Sequence, residues 1–119
     1  MRNFRKLTVW EKAHCLTLNI YKVTSSFPKE EMYGLVSQMR RSASSIPYNI
    51  AEGCGRNTQP QFANFLNIAS GSSSELEYQI ILAKDLNYIK YGTYQELTSE
   101  IIEIKQMLYS LHSKVSTES

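Results

Sequence analysis

Arginine and tyrosine are the side chains of this sequence best suited to gripping another macromolecule. They concentrate in one stretch that holds Arg40, Arg41, Tyr48, Asn49 and Glu52. The planar donors of arginine fit phosphate, and a tyrosine ring stacks on an exposed base. The same two residue types dominate the centres of protein interfaces, so the residues alone leave both kinds of partner open. Arg2, Arg5, Lys6 and Arg56 would extend an anion-binding surface if the fold gathers them. Taken singly, each reads as a solvated charge.

Catalytic constellations are scarce by comparison. A zinc site needs three or four converging ligands. His14, Cys15, Cys54 and His112 are the only soft candidates, and no ligand spacing joins them. Gly53-Cys54-Gly55 lacks the later glycine of a dinucleotide fingerprint, and no strand precedes it. The serine run Ser72-Ser73-Ser74 contains no nucleophile elbow. Glu52, Glu75 and Glu77 could pair as acid and base, but salt links explain them more simply. These absences predict no enzyme, no metal and no cofactor.

A chain of 119 residues suits one domain, and about two-thirds of its unfolded surface can be buried without a disulfide. The two cysteines are read as reduced thiols of a cytoplasmic protein. The longest aliphatic run, Ile80-Ile81-Leu82-Ala83, is too short for a bilayer. Net charge is +2, but it is unevenly spread: residues 1–56 carry +5 and residues 57–119 carry −3. Such asymmetry suits either an anion-binding face or helices that attract one another.

Four amphipathic patterns must position these side chains. Val9, Ala13, Leu16, Ile20, Val23 and Phe27 recur at spacings of three and four, predicting a helix over about 9–26 with Thr8 and Glu11 as its capping box. Met32, Val36, Met39, Ala43, Ile46 and Ile50 predict a second over about 30–52, bent at Pro47 and closed by a left-handed Gly53. Phe62, Leu66, Ala69, Ser73, Leu76, Ile80 and Ala83 predict a third over about 59–89, capped by Thr58. A neighbouring stripe of Phe65, Ile68, Leu82, Leu86 and Ile89 widens its buried face. Tyr94, Leu97, Ile101, Ile104, Leu108, Leu111 and Val115 predict a fourth over about 94–115, with Thr93 and Glu96 as its capping box. Short connections between helices of similar length predict an all-α, antiparallel up-down-up-down four-helix bundle. Small residues at 42–45 and 69–74 would let helices two and three approach closely. On helix two, Arg41, Ser45, Tyr48 and Glu52 lie opposite the core stripe at about 100° per residue, with Arg40 on the flank.

Several segments then resemble a known family. They are Leu7-Thr8-Val9-Trp10-Glu11-Lys12-Ala13, Phe27-Pro28-Lys29-Glu30-Glu31-Met32-Tyr33-Gly34-Leu35 and Gln38-Met39-Arg40-Arg41-Ser42-Ala43. Ser45-Ile46-Pro47-Tyr48-Asn49-Ile50-Ala51-Glu52-Gly53 is the most specific, and Ala69-Ser70-Gly71-Ser72 with Glu75-Leu76-Glu77 completes the order. Together they resemble the bacterial four-helix-bundle proteins encoded in 23S ribosomal RNA intervening sequences, over about residues 4–112. The resemblance implies a homopentamer with bundles side by side as a short barrel. It also implies kinship with the accessory protein of diversity-generating retroelements, a basic pentamer associated with reverse transcriptase and nucleic acid. Arg40, Arg41, Arg56, Tyr48, Asn49 and Glu52 fall on its motif positions. The expectation is a non-enzymatic, homo-oligomeric accessory module that binds RNA or a ribonucleoprotein through a basic face, with neither membrane nor small-molecule substrate. The alternative is a scaffold that binds protein only.

Overall fold

Residues 2–118 are described by a computed structural model, and their regular structure is helical throughout. A 3-10 turn, Phe4–Lys6, leads into α1 (Thr8–Thr24). After a second 3-10 turn, Lys29–Glu31, and a wide π turn, Met32–Val36, come α2 (Ser37–Cys54), α3 (Gln59–Asp85) and α4 (Tyr91–Thr117). The last two have 27 residues each, about 40 Å at 1.5 Å per residue, and span the 45 Å long axis.

The stripes form the core. Leu16, Ile20, Met39, Ile46, Ile50, Leu66, Leu76, Ile80, Ile101, Ile104 and Leu108 are fully buried. Contacts between sequential helices descend in register. Thr17 meets Ala43 while Thr24 meets Arg40, Ser42 meets Glu75 while Ser45 meets Ser72, and Glu77 meets Lys105 while Lys84 meets Tyr94. Neighbours therefore run antiparallel along these contacts. The small residues of α2 and α3 do face each other, with the Ser45 and Ser72 hydroxyls 2.8 Å apart.

Local signals were overridden at several ends. Leu7, not Thr8, is the N-cap of α1, because the preceding 3-10 turn leaves its carbonyl to accept from Trp10 and Glu11. Met32 is 54% exposed instead of buried. The extra residue of the π turn shifts the helical phase there, and Leu35 faces the core in its place. Gly34 has non-helical angles (φ −113°, ψ −111°), and a Cβ on it would lie 2.9 Å from Glu31 Oε1. That oxygen accepts from the Leu35 amide at 3.2 Å, while Oε2 accepts from the Tyr88 hydroxyl at 2.8 Å. The hydrogen bond to Glu31 is the main cause that pushes the Tyr88 phenol up from its ordinary pKa.

Helix α3 stops at Asp85, short of Ile89. Asn87 takes a left-handed φ of 63°, and the amides of Asn87 and Tyr88 return to the carbonyls of Lys84 and Ala83. This is a Schellman closure with asparagine in the position usually held by glycine. Leu86, at the cap, is accordingly exposed, and Ile68 is exposed mid-helix, so the neighbouring stripe does not widen the buried face at either position. Of the three capping boxes, the start of α3 shows the expected cap, Thr58 accepting from the Gln61 amide at 3.3 Å. Helix α4 begins at Tyr91, so Gly92 and Thr93 lie inside it. Tyr91 and Tyr94 meet at 5.9 Å within its first turn, and Lys84 of α3 sits over the Tyr94 ring, contacts that favour the earlier start over a cap worth about 1 kcal/mol.

Pro47 sits inside α2, which continues through it to Cys54. Its missing N–H deprives the Ala43 carbonyl of the usual partner four residues on. Thr17 of α1 supplies a shared replacement: its single hydroxyl proton is divided between that carbonyl, at 3.1 Å, and the Ala13 carbonyl one turn earlier in α1, at 2.8 Å. Thr17→Val should therefore lower stability by about 1–3 kcal/mol, the cost of an orphaned buried acceptor. In a Pro47→Ala background the loss should shrink, because Ala at 47 restores the helical donor. Urea unfolding of the four variants checks this, and independent, additive losses would refute it.

Candidate nucleic-acid interface

The fold divides the sequence candidates between two places. On α2, Arg40 turns toward α1. Its Nε donates to Thr24 Oγ1 at 2.9 Å, its Nη2 to the Tyr21 carbonyl at 3.2 Å, and its guanidinium lies 4.7 Å from the Tyr21 ring centroid. The last turn of a helix presents unpaired carbonyls and a partial negative charge. Arg40 satisfies that end of α1. Asn49 is also engaged internally, donating to the Ser45 carbonyl at 2.7 Å and to its hydroxyl at 2.9 Å.

Arg41 and Tyr48 point outward, as their wheel positions require. Tyr48 is 70% exposed. Arg41 is exposed, with Nη2 a loose 3.9 Å from Glu75 Oε2. Ser44 and Ala51, both half-buried, are the small side chains on the α1 side of this face.

The remaining basic candidates meet at the other end of α2, about 22 Å along the helix from Arg41. Here the 3-10 turn crosses the last turn of α2, and Arg2, Phe4 and Arg5 line an open depression of about 400 Å³ with Ala51, Cys54 and Gly55. Arg2 also lines a second depression of about 540 Å³ with Arg56, Asn57 and Gln59. Lys6 lies exposed in the same turn.

Two rings hold the arginines in place. Arg2 lies over Phe62 at 4.3 Å, and Arg56 over Phe65 at 4.7 Å. A guanidinium seated on a ring face keeps its in-plane N–H donors for a ligand. Arg56 also pairs with Glu52 one turn earlier, at 3.3 Å. The rings reach α2 because of Gly53, which lies within the helix and is not its left-handed cap. A Cβ there would come 2.8 Å from Phe62 Cδ1 and 2.9 Å from Phe65 Cβ. Gly53 thus permits the close packing that seats both guanidiniums. The start of α3 adds its partial positive charge to the same end, where the last turn of α2 places a partial negative charge, so the arginines supply the net positive field.

Sequence reasoning did not single out the aromatic row beside this cluster. Trp10 and His14 stack at 5.2 Å with planes 6° apart, and Phe4 meets Trp10 at 5.0 Å. The available signal was the four-residue spacing of Trp10 and His14 on the flank of the α1 stripe.

Among the described residues, no group of three or more His, Cys, Asp or Glu could hold a metal ion. Cys15 is exposed and Cys54 buried, both free. Burial pushes the Cys54 thiol up, with Arg2 pulling the other way. Glu100, on the seam of α1 and α4, is raised chiefly by burial, partly opposed by the Asn19 amide. No described helix is long and apolar enough to cross a membrane.

Comparison with known proteins places this geometry in a family context. The model of the family described as 23S rRNA-intervening sequence protein matches residues 5–110. A crystal structure of a protein of unknown function, from the S23 ribosomal protein family of Bacteroides thetaiotaomicron VPI-5482, is similar with a TM-score of 0.79 and 28% identity. The similarity covers 88% of this chain and 95% of that one. No curated protein matches the chain.

Proposed function

The chain belongs to the 23S rRNA-intervening sequence protein family, and we propose that it is a cytoplasmic, non-enzymatic, homo-oligomeric accessory module that binds RNA or a ribonucleoprotein through the basic end of its bundle. One observation carries the reading: Arg2 and Arg56, each seated on a phenylalanine, line one open depression with Arg5 and Lys6 close by. Charged donors fixed in this way suit phosphate oxygens better than a neutral ligand. The mechanism is electrostatic. A homopentamer, as the family resemblance implies, would repeat a weak patch five times and turn modest contacts into avidity. Affinity for a structured RNA should be measurable in dilute buffer and fall steeply with added salt. A filter-binding titration with no retention at low salt would remove the proposal.

A second reading, a scaffold for protein alone, draws on the outer face of α2. Tyr48 stands there largely exposed beside small side chains, the kind of projecting anchor that interfaces use. If this face joins subunits, Arg41→Glu places a negative charge next to Glu75 and should reduce the mass seen by light scattering. An unchanged mass would show that the assembly does not use this face. Under the scaffold reading the oligomer purifies free of nucleic acid, and nuclease treatment leaves its absorbance ratio unaltered.

A further inference from the structure

The basic end is continuous with a row of rings that the phosphate contacts do not use. The Arg5 guanidinium lies 4.9 Å from the centroid of Phe4, Phe4 is 5.0 Å from Trp10, and Trp10 is 5.2 Å from His14. Phe4 and Arg5 border the same depression as Arg2, so the row starts at the phosphate-binding corner and runs out along α1. Phe4 and Trp10 are half-buried and His14 is exposed, so the row is open at its His14 end. Among the described residues, His14 is exposed and its ring contact is the nearly parallel stack on Trp10.

Stacked rings beside fixed cations are the two parts of a single-strand platform. A duplex presents its phosphates but keeps the faces of its bases covered by one another. An unpaired strand offers both. Resting on the nucleic-acid reading above, we infer that the ligand of this end is single-stranded RNA. Its phosphates lie at Arg2 and Arg56, and one base continues the row by stacking on His14.

The test measures binding of a mixed-sequence RNA of about twelve nucleotides, within the span such platforms occupy, against the same strand in a duplex. His14→Ala should weaken the single strand about tenfold, the scale of one lost base stack. His14→Trp should tighten it, because a larger ring stacks better. Neither change should alter duplex binding, and the shift in thermal midpoint should stay small, since the position is exposed on a helix and can lose only its stack on Trp10. Equal binding of single strand and duplex, or weakening by both His14 variants, would overturn the stacking role and leave the phosphate contacts standing. Failure of either RNA to bind in dilute buffer would overturn this inference together with the function on which it rests.

Discussion

Reversing both seated guanidiniums, Arg2→Glu with Arg56→Glu, should cut affinity for RNA on the order of a hundredfold in dilute buffer and flatten its salt dependence. Two positive charges at one corner become two negative ones, so attraction to phosphate turns to repulsion there. The slope of log affinity against log salt should lose about 0.7 for each single-strand phosphate contact removed. The fold should survive, because Arg56 is exposed, Arg2 lies half-buried at the rim of an open depression, and the Glu52–Arg56 link from α2 to the turn beyond its end is a solvent-screened pair worth about a few tenths of a kcal/mol. Lys22→Glu with Lys29→Glu is the matched control, since both positions are exposed and lie toward the opposite end of the bundle. Fluorescence anisotropy with a labelled strand separates local from global charge. An equal loss in the control pair would mean that overall charge, not this corner, governs binding.

The largest expected effect on stability is at Ile46. It is fully buried on α2, whereas Tyr48 two residues later is 70% exposed. Ile46→Asp places an unpaired carboxylate among apolar side chains, at a cost of several kcal/mol, which is comparable with the roughly 5–15 kcal/mol that holds a domain of this size together. The variant should be unfolded by circular dichroism at neutral pH. Tyr48→Asp should change stability by no more than about 0.5 kcal/mol, as for other surface positions. A folded Ile46→Asp protein would contradict the assigned core.

The helices were legible because their burial is periodic. The stripes of α1, α3 and α4 and the outward placement of Arg41 and Tyr48 follow from spacing alone. Ends were less legible, because each depends on a contact made elsewhere. Met32 left the core through a π turn that accommodates the Glu31 carboxylate beside Gly34. Gly53, which invites a cap, serves the approach of Phe62 and Phe65. The candidate site was half visible. Arg5, Lys6 and Arg56 gather at one end, but what brings them there is the path of the N-terminal turn over α2, which has no periodic signature. Arg40 belongs to the end of α1 for an equally non-local reason.

The break at Pro47 bears on how the molecule comes together. A helix normally completes its own ladder, yet α2 leaves the Ala43 acceptor open until Thr17 arrives from α1. The middle of α2 is thus weakest as an isolated segment and matures only on docking. Assembly should begin with the α1–α2 hairpin as a cooperative unit, onto which α3 and α4 then condense. A Thr17→Val chain would show this as slower refolding, not merely faster unfolding.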